Sequence, residues 1–185
     1  MIYIEIAISI YLLGSYMHFI INKRKNQYKT ALLSGHIDSS EELKRTLAMG
    51  LYLRFREEKD EYYPNIGENS TFIKDDPYLF EDFVADVFKT SKGGDTWVSP
   101  RSGDFGVDFE HNTENGTFLG QVKCKKNDMD YEPIAILHSN IIKNGAAGGY
   151  VITTSSYTKA AREYADGLDI ELIDGIKLVD LWLED

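Results

Sequence analysis

The sequence predicts an α/β fold, a mixed β-sheet flanked by helices and preceded by an apolar helix. Three features predict it. From residue 77 on, amphipathic helical segments alternate with short strands, the order that builds a sheet with helices on both faces. Asn115-Gly116 is a two-residue turn of the kind that joins antiparallel strands. Residues 1–21 form an almost unbroken apolar run.

That first run is about as long as a helix must be to cross a bilayer. Only Glu5 and His18 interrupt it, one near each end, and Tyr3, Tyr16 and Phe19 suit membrane interfaces. Lys23, Arg24, Lys25 and Lys29 come directly after it. By the positive-inside rule they leave the C-terminal remainder of the chain in the cytoplasm. Residues 1–29 are therefore expected as a transmembrane helix and basic stop, an anchor in the cytoplasmic membrane. A buried or partner-packing helix is the alternative. A cleaved signal peptide would carry its basic residues before the apolar run.

Residues 30–76 are expected as one amphipathic helix and a linker. Ser39 and Glu42 have the spacing of a capping box. The helix they open, over about 41–61, places Leu43, Leu47, Leu51 and Phe55 at intervals of four among charges of both signs. It reads as a solvated helix that packs on a neighbour. Residues 63–76, rich in Asn, Ser, Pro and Gly, read as loop.

Residues 77–185 are expected as one domain. Asp76 can cap a helix with Pro77 at its first position. That helix puts Leu79, Phe80, Phe83, Val84, Val87 and Phe88 on one face, and Gly93-Gly94 end it. Strands are expected at 96–98, 107–109 and 117–125, then a helix at 132–144. A buried strand at 149–154, a helix at 156–166, a strand at 170–173 and a closing helix at 175–183 complete the order.

The formal net charge is −10. From residue 77 on, ten Lys and Arg stand against nineteen Asp and Glu. A protein that coats nucleic acid generally is excluded by this balance. A metal site is not, because it needs carboxylates and its cation inverts the local field. Cys124 is the single cysteine, so an internal disulfide framework and a cysteine zinc site are excluded. His18, His36, His111 and His138 show no ligand spacing. His111 reads as an exposed hairpin residue.

The chemistry gathers on the expected hairpin. Gln121 and Lys123 are two apart, so they share a strand face. With Asp108 on the partner strand, a carboxylate, an amide oxygen and an ammonium converge. A hard cation such as Mg²⁺ takes oxygen ligands and keeps several waters. Asp108 and Gln121 can hold it, and Lys123 can orient water or neutralise charge on a phosphate. Glu81, on the preceding helix, can add a carboxylate. An alternative register puts Lys125 in the place of Lys123. Thr153, Thr154 and Ser155 are open to two readings, phosphate contact or capping of a helix starting at Ser156.

The segments FEDFVADVF, SGDFGVDFE, GQVKCKK, GYVITTSSYTKAAREYA and IELIDGIKLVDL succeed one another in this order. In this the chain resembles the Mrr-type restriction endonucleases, a branch of the PD-(D/E)xK nucleases, over about residues 77–183. The resemblance implies a restriction-endonuclease-like fold and a metal-dependent DNA endonuclease, using Mg²⁺ or Mn²⁺, in restriction or defence against foreign DNA. It assigns metal binding to Asp108 and Gln121, catalysis to Lys123 and support to Glu81. Asp104 matches the first aspartate of the D-x-G-x-D motif, and Gly106 its glycine. DNA is the expected partner, and cutting both strands implies a homodimer. Residues 1–76 do not resemble the separate DNA-reading domain that many members carry. Two other functions stay open: a non-catalytic nucleic-acid-binding or assembly module on the same fold, and a nuclease for RNA or single strands.

Overall fold

The structure, a computed structural model, describes residues 11–25, 27, 37, 40–56, 76, 78–100 and 105–184. The chain divides into two compact units, Met1–Ser40 and Glu41–Asp185. In the first, residues 11–25 are helical (α1). Tyr11, Leu12, Leu13, Tyr16 and Phe19 on it are exposed.

The expected transmembrane helix is corrected here. Among the described residues no helix is long and apolar enough to cross a membrane. Within the described part of α1 the apolar residues give way to the Lys23-Arg24-Lys25 cluster, charges that are expensive inside a hydrocarbon core. Residues 1–10 of the expected span lie outside the described residues. The membrane anchor, the membrane attachment and the membrane location built on that span are withdrawn with it.

The second unit holds a five-stranded mixed sheet flanked by helices, in the order β1-β2-β3-β4-β5. Its elements are α2 (Glu41–Phe55), α3 (Leu79–Lys92), β1 (Asp95–Val98), β2 (Phe109–Thr113), β3 (Gly116–Lys123), α4 (Glu132–Asn144), β4 (Gly148–Thr153), α5 (Lys159–Ala165), β5 (Ile170–Ile173) and α6 (Gly175–Leu183). β1, β2 and β3 form an antiparallel meander, with Val98 opposite Phe109 and Phe109 opposite Gly120. β3, β4 and β5 are parallel, with Gln121 opposite Val151 and Lys123 opposite Thr153. Parallel neighbours need crossover connections, which α4 and α5 supply.

Local chemistry sets these elements. Gly116 takes φ +118 at the β2–β3 turn, and Thr113 Oγ1 accepts from the Asn115 N–H. Gly93 and Gly94, both at positive φ, turn the chain from α3 into β1. Thr158 and Asp174 cap α5 and α6 by accepting from the Ala161 and Lys177 N–H groups. The expected helix over 156–166 thus starts later, because Thr158 and not Ser155 is its cap. β4, GGYVIT, is buried at every position, as a central parallel strand covered on both faces must be.

Two apolar layers enclose the sheet. On one face Phe80, Val84 and Phe88 of α3 pack with Phe109, Val122 and Ile152, together with α2 and α6. On the other, Ile134, Leu137 and Ile141 of α4 pack with Leu119, Val151 and Ala161. α2 joins the first layer through Ala48, Leu51 and Phe55, each at most 5% exposed. Burying an aliphatic or aromatic side chain of this kind stabilises by about 1.5–3 kcal/mol. His111 is also inside this layer, at 1% exposure, contrary to its expected place on an exposed hairpin. Its Nε2–H donates to the Gly93 carbonyl at 2.7 Å, tying β2 to the end of α3.

Glu171 on β5 bridges Lys92 of α3 and Lys177 of α6. Burial pushes its pKa up, but the two lysines outweigh that and hold it below the ordinary carboxylate value. A depressed folded-state pKa contributes stability above the unfolded value and loses it as pH falls through the folded one. Urea unfolding across the acid range is therefore expected to show a shallower loss of stability for Glu171→Gln than for the parent. Identical acid limbs would remove Glu171 from the account.

Candidate active site

β2 begins one residue after Asp108, and the site arises from how the sheet closes that gap. The Asp108 N–H donates to the Gly120 carbonyl at 2.8 Å, and its own carbonyl accepts from the Ser99 N–H at 2.9 Å. Beyond this point the Val122 N–H has no carbonyl across from it on β2. The Asp108 carboxylate takes that place, with Oδ2 accepting from the Val122 N–H at 2.6 Å. The side chain is thereby fixed against the backbone between Gln121 and Lys123.

Asp108 is 2% exposed. A buried carboxylate is costly unless it is hydrogen-bonded and paired. The Val122 N–H supplies one compensation and Lys123 the other, its Nζ 3.7 Å from the same Oδ2. The Lys123 side chain remains 37% exposed, so its ammonium stands between the buried carboxylate and solvent. Lys125 lies past the end of β3, where its N–H donates to Thr154 Oγ1. The ion pair with Asp108 thus belongs to Lys123.

Gln121 is 3% exposed, and its Oε1 is buried with no hydrogen-bond partner. An unsatisfied buried acceptor costs about 1–3 kcal/mol, and such groups call for an explanation. An oxygen-seeking cation is one. A buried carboxylate and an orphaned amide oxygen suit Mg²⁺, which binds through one or two protein oxygens together with water and phosphate. Among the described residues no group of three or more His, Cys, Asp or Glu side chains gathers to hold a metal.

Glu81 is in the first turn of α3 and half-buried. α3 packs on the Phe109 and Val122 face, opposite to the one on which Gln121 and Lys123 alternate. Its first turn lies toward the Asp108 end, since its C-terminal Gly93 meets His111 farther along β2. Asp104 lies outside the described residues. Gly106 has φ +84, and a Cβ there would come within 2.7 Å of Ile136 and 3.0 Å of Gln121 Nε2. Only glycine suits both constraints.

Sequence reasoning missed two residues. Phe105 has φ +51 and is 73% exposed, an unusual backbone state for an aromatic residue. Asn140 of α4, 9% exposed, holds it by donating from Nδ2 to its carbonyl at 2.9 Å. The available signal was a polar residue on the apolar face of α4, between Leu137 and Ile141. Thr153, Thr154 and Ser155 serve the backbone. Thr154 Oγ1 donates to the Lys125 carbonyl and Ser155 Oγ to the Asn127 carbonyl, fixing the segment after β3 against the end of β4.

Residues 74–182 match the family Mrr_cat, described as restriction endonuclease. Two solved structures are similar. The DNA modification-dependent restriction endonuclease AspBHI shares 17% identity, with a TM-score of 0.55 over 76% of this chain and 35% of that one. The MspJI restriction endonuclease, in complex with a 27-mer oligonucleotide, shares 24% identity, with a TM-score of 0.48 over 58% of this chain and 28% of that one. The chain therefore spans well under half the length of either. No curated protein matches it.

Removing the Asp108 side chain leaves the Val122 N–H buried without an acceptor. Asp108→Ala is expected to be less stable than Asp108→Asn by about 1–3 kcal/mol, read from urea unfolding. Equal stabilities would show that the carboxylate does not carry the end of the hairpin.

Proposed function

The chain belongs to the Mrr_cat family of restriction endonucleases, and from that membership and the site geometry we propose that it is a metal-dependent endonuclease acting on DNA. The observation that supports the reading is the orphaned, buried Gln121 Oε1, one residue along β3 from the Val122 N–H that holds the buried Asp108 carboxylate, with Lys123 paired to that carboxylate from the solvent side. Asp108 and Gln121 hold the cation, Mg²⁺ or Mn²⁺. When bound, the cation supplies Lewis-acid polarisation of the phosphate and a more acidic water.

The chain's own residues do the rest. The Val122 N–H keeps the Asp108 carboxylate in one orientation, so no reorganisation is needed when substrate arrives. Lys123 faces solvent from the same carboxylate and neutralises the charge that builds on the phosphate oxygens as the P–O bond breaks. Glu81, in the first turn of α3, is a further carboxylate for which the family resemblance suggests a supporting role. Defence against foreign DNA is the role that fits this family. A second reading, a non-catalytic nucleic-acid-binding or assembly module, draws support from the acidic balance of residues 77–185.

Supercoiled plasmid incubated with the full chain is expected to be nicked with Mg²⁺ or Mn²⁺ and left intact with chelator. Asp108→Asn and Lys123→Met are each expected to lower the rate by about a hundredfold or more. Cutting that survives both substitutions, or that persists in chelator, would remove these residues from the reaction. No cutting with any metal would favour the binding module.

A further inference from the structure

A cavity of about 410 Å³ opens between α2, the segment after β3, the β4–α5 turn and the start of α6. Four cations line it: Arg45 from α2, Lys125 and Lys126 after β3, and Arg162 from α5. Four cations against three carboxylates give this lining a small positive excess on a domain that is acidic overall, the sign a polyanion needs. Glu41, Asp128 and Asp174 line it too. Two of these are already engaged: Glu41 pairs with Arg45, and Asp174 caps α6 and lies 3.9 Å from Arg162.

The cations are placed by the fold. Thr154 Oγ1 holds both the N–H and the carbonyl of Lys125. Arg162 stacks on the Tyr157 ring and donates to Ser156 Oγ. Arg45 pairs with Glu41, and both are about 70% exposed. An exposed pair of this kind is worth little, so Arg45 can turn to an incoming anion. Lys125 stands two residues beyond Lys123, and Thr154 is next in the chain after Thr153, the residue paired with Lys123. The cavity therefore begins where the candidate active site ends, at the C-terminal edge of β3 and β4.

We propose that this cavity is a phosphodiester-binding pocket that holds the DNA strand beside the bond to be cut, and that α2 completes it. The proposal rests on the nuclease reading. It gives a function to α2, which lies outside the residues that match the family.

The test is binding of a fluorescent DNA duplex by the full-length Asp108→Asn protein in chelator, across a series of salt concentrations. Arg45→Gln and Lys125→Gln, each added to that background, are expected to weaken binding about three- to tenfold and to reduce the slope of log Kd against log salt by about one. Lys89→Gln, on exposed α3 surface away from the cavity, is the control for loss of any single charge and is expected to change neither. Thermal unfolding checks that each variant is folded. If the two pocket variants bind like the control, the pocket is overturned, and metal-dependent plasmid cutting by the parent would leave the nuclease reading standing. If the Asp108→Asn protein binds no duplex at any salt, the pocket is overturned whatever the parent does to plasmid.

Discussion

The hydrogen bond from the Val122 N–H to the Asp108 carboxylate is the contact on which the site depends. It does three things at once. It closes the β2–β3 ladder where β2 runs out of carbonyls. It holds a carboxylate that would otherwise be costly to bury. It also sets that carboxylate between two side chains that alternate onto one face of β3, Gln121 and Lys123. In the proposed reaction, structure and chemistry share this one group, so a substitution at Asp108 acts on both. The conservative amide is the informative variant for that reason, since it can keep the hydrogen bond while removing the charge.

The sheet explains why the site lies where it does. β3 is the strand at which an antiparallel meander changes to a parallel arrangement. Its C-terminal end therefore meets the chain leaving for α4 and the end of β4 together. Open α/β sheets leave crevices at such carboxyl ends. Gln121, Lys123 and Lys125 run along this edge in sequence, the first buried, the second half-exposed and the third exposed. Thr154 and Ser155 fasten the edge to the neighbouring strand. One short stretch of chain thus passes from the buried interior to the open cavity lined by Lys125 and Lys126.

Much of this was legible in the sequence. The helices at 132–144 and 175–183 and the strand at 170–173 lie where periodicity and caps put them, and Asn115-Gly116 makes the expected turn. That Gln121 and Lys123 lie on one face of β3 was legible, because residues two apart on a strand share a face. The illegible parts depend on contacts distant in the chain. β2 starts after Asp108 because the aspartate's backbone bonds to both Ser99 and Gly120, and alternation from that start buries His111. Asn140 has meaning only when α4 lies against the turn that carries Phe105. The apolar run at the N-terminus misled because hydrophobic length read from sequence does not by itself establish a membrane span.

The central claim is that Asp108 and Gln121 together hold a divalent cation at the end of the β2–β3 hairpin. The most direct measurement is a Mn²⁺ titration of the isotope-labelled full chain by NMR, where the paramagnetic ion broadens the signals nearest to it. The account predicts that the Gln121 side-chain amide and the Val122 backbone amide broaden first, and that Asp108→Asn abolishes this early broadening. Broadening that begins elsewhere on the acidic surface, with the Gln121 signals unchanged, would contradict it.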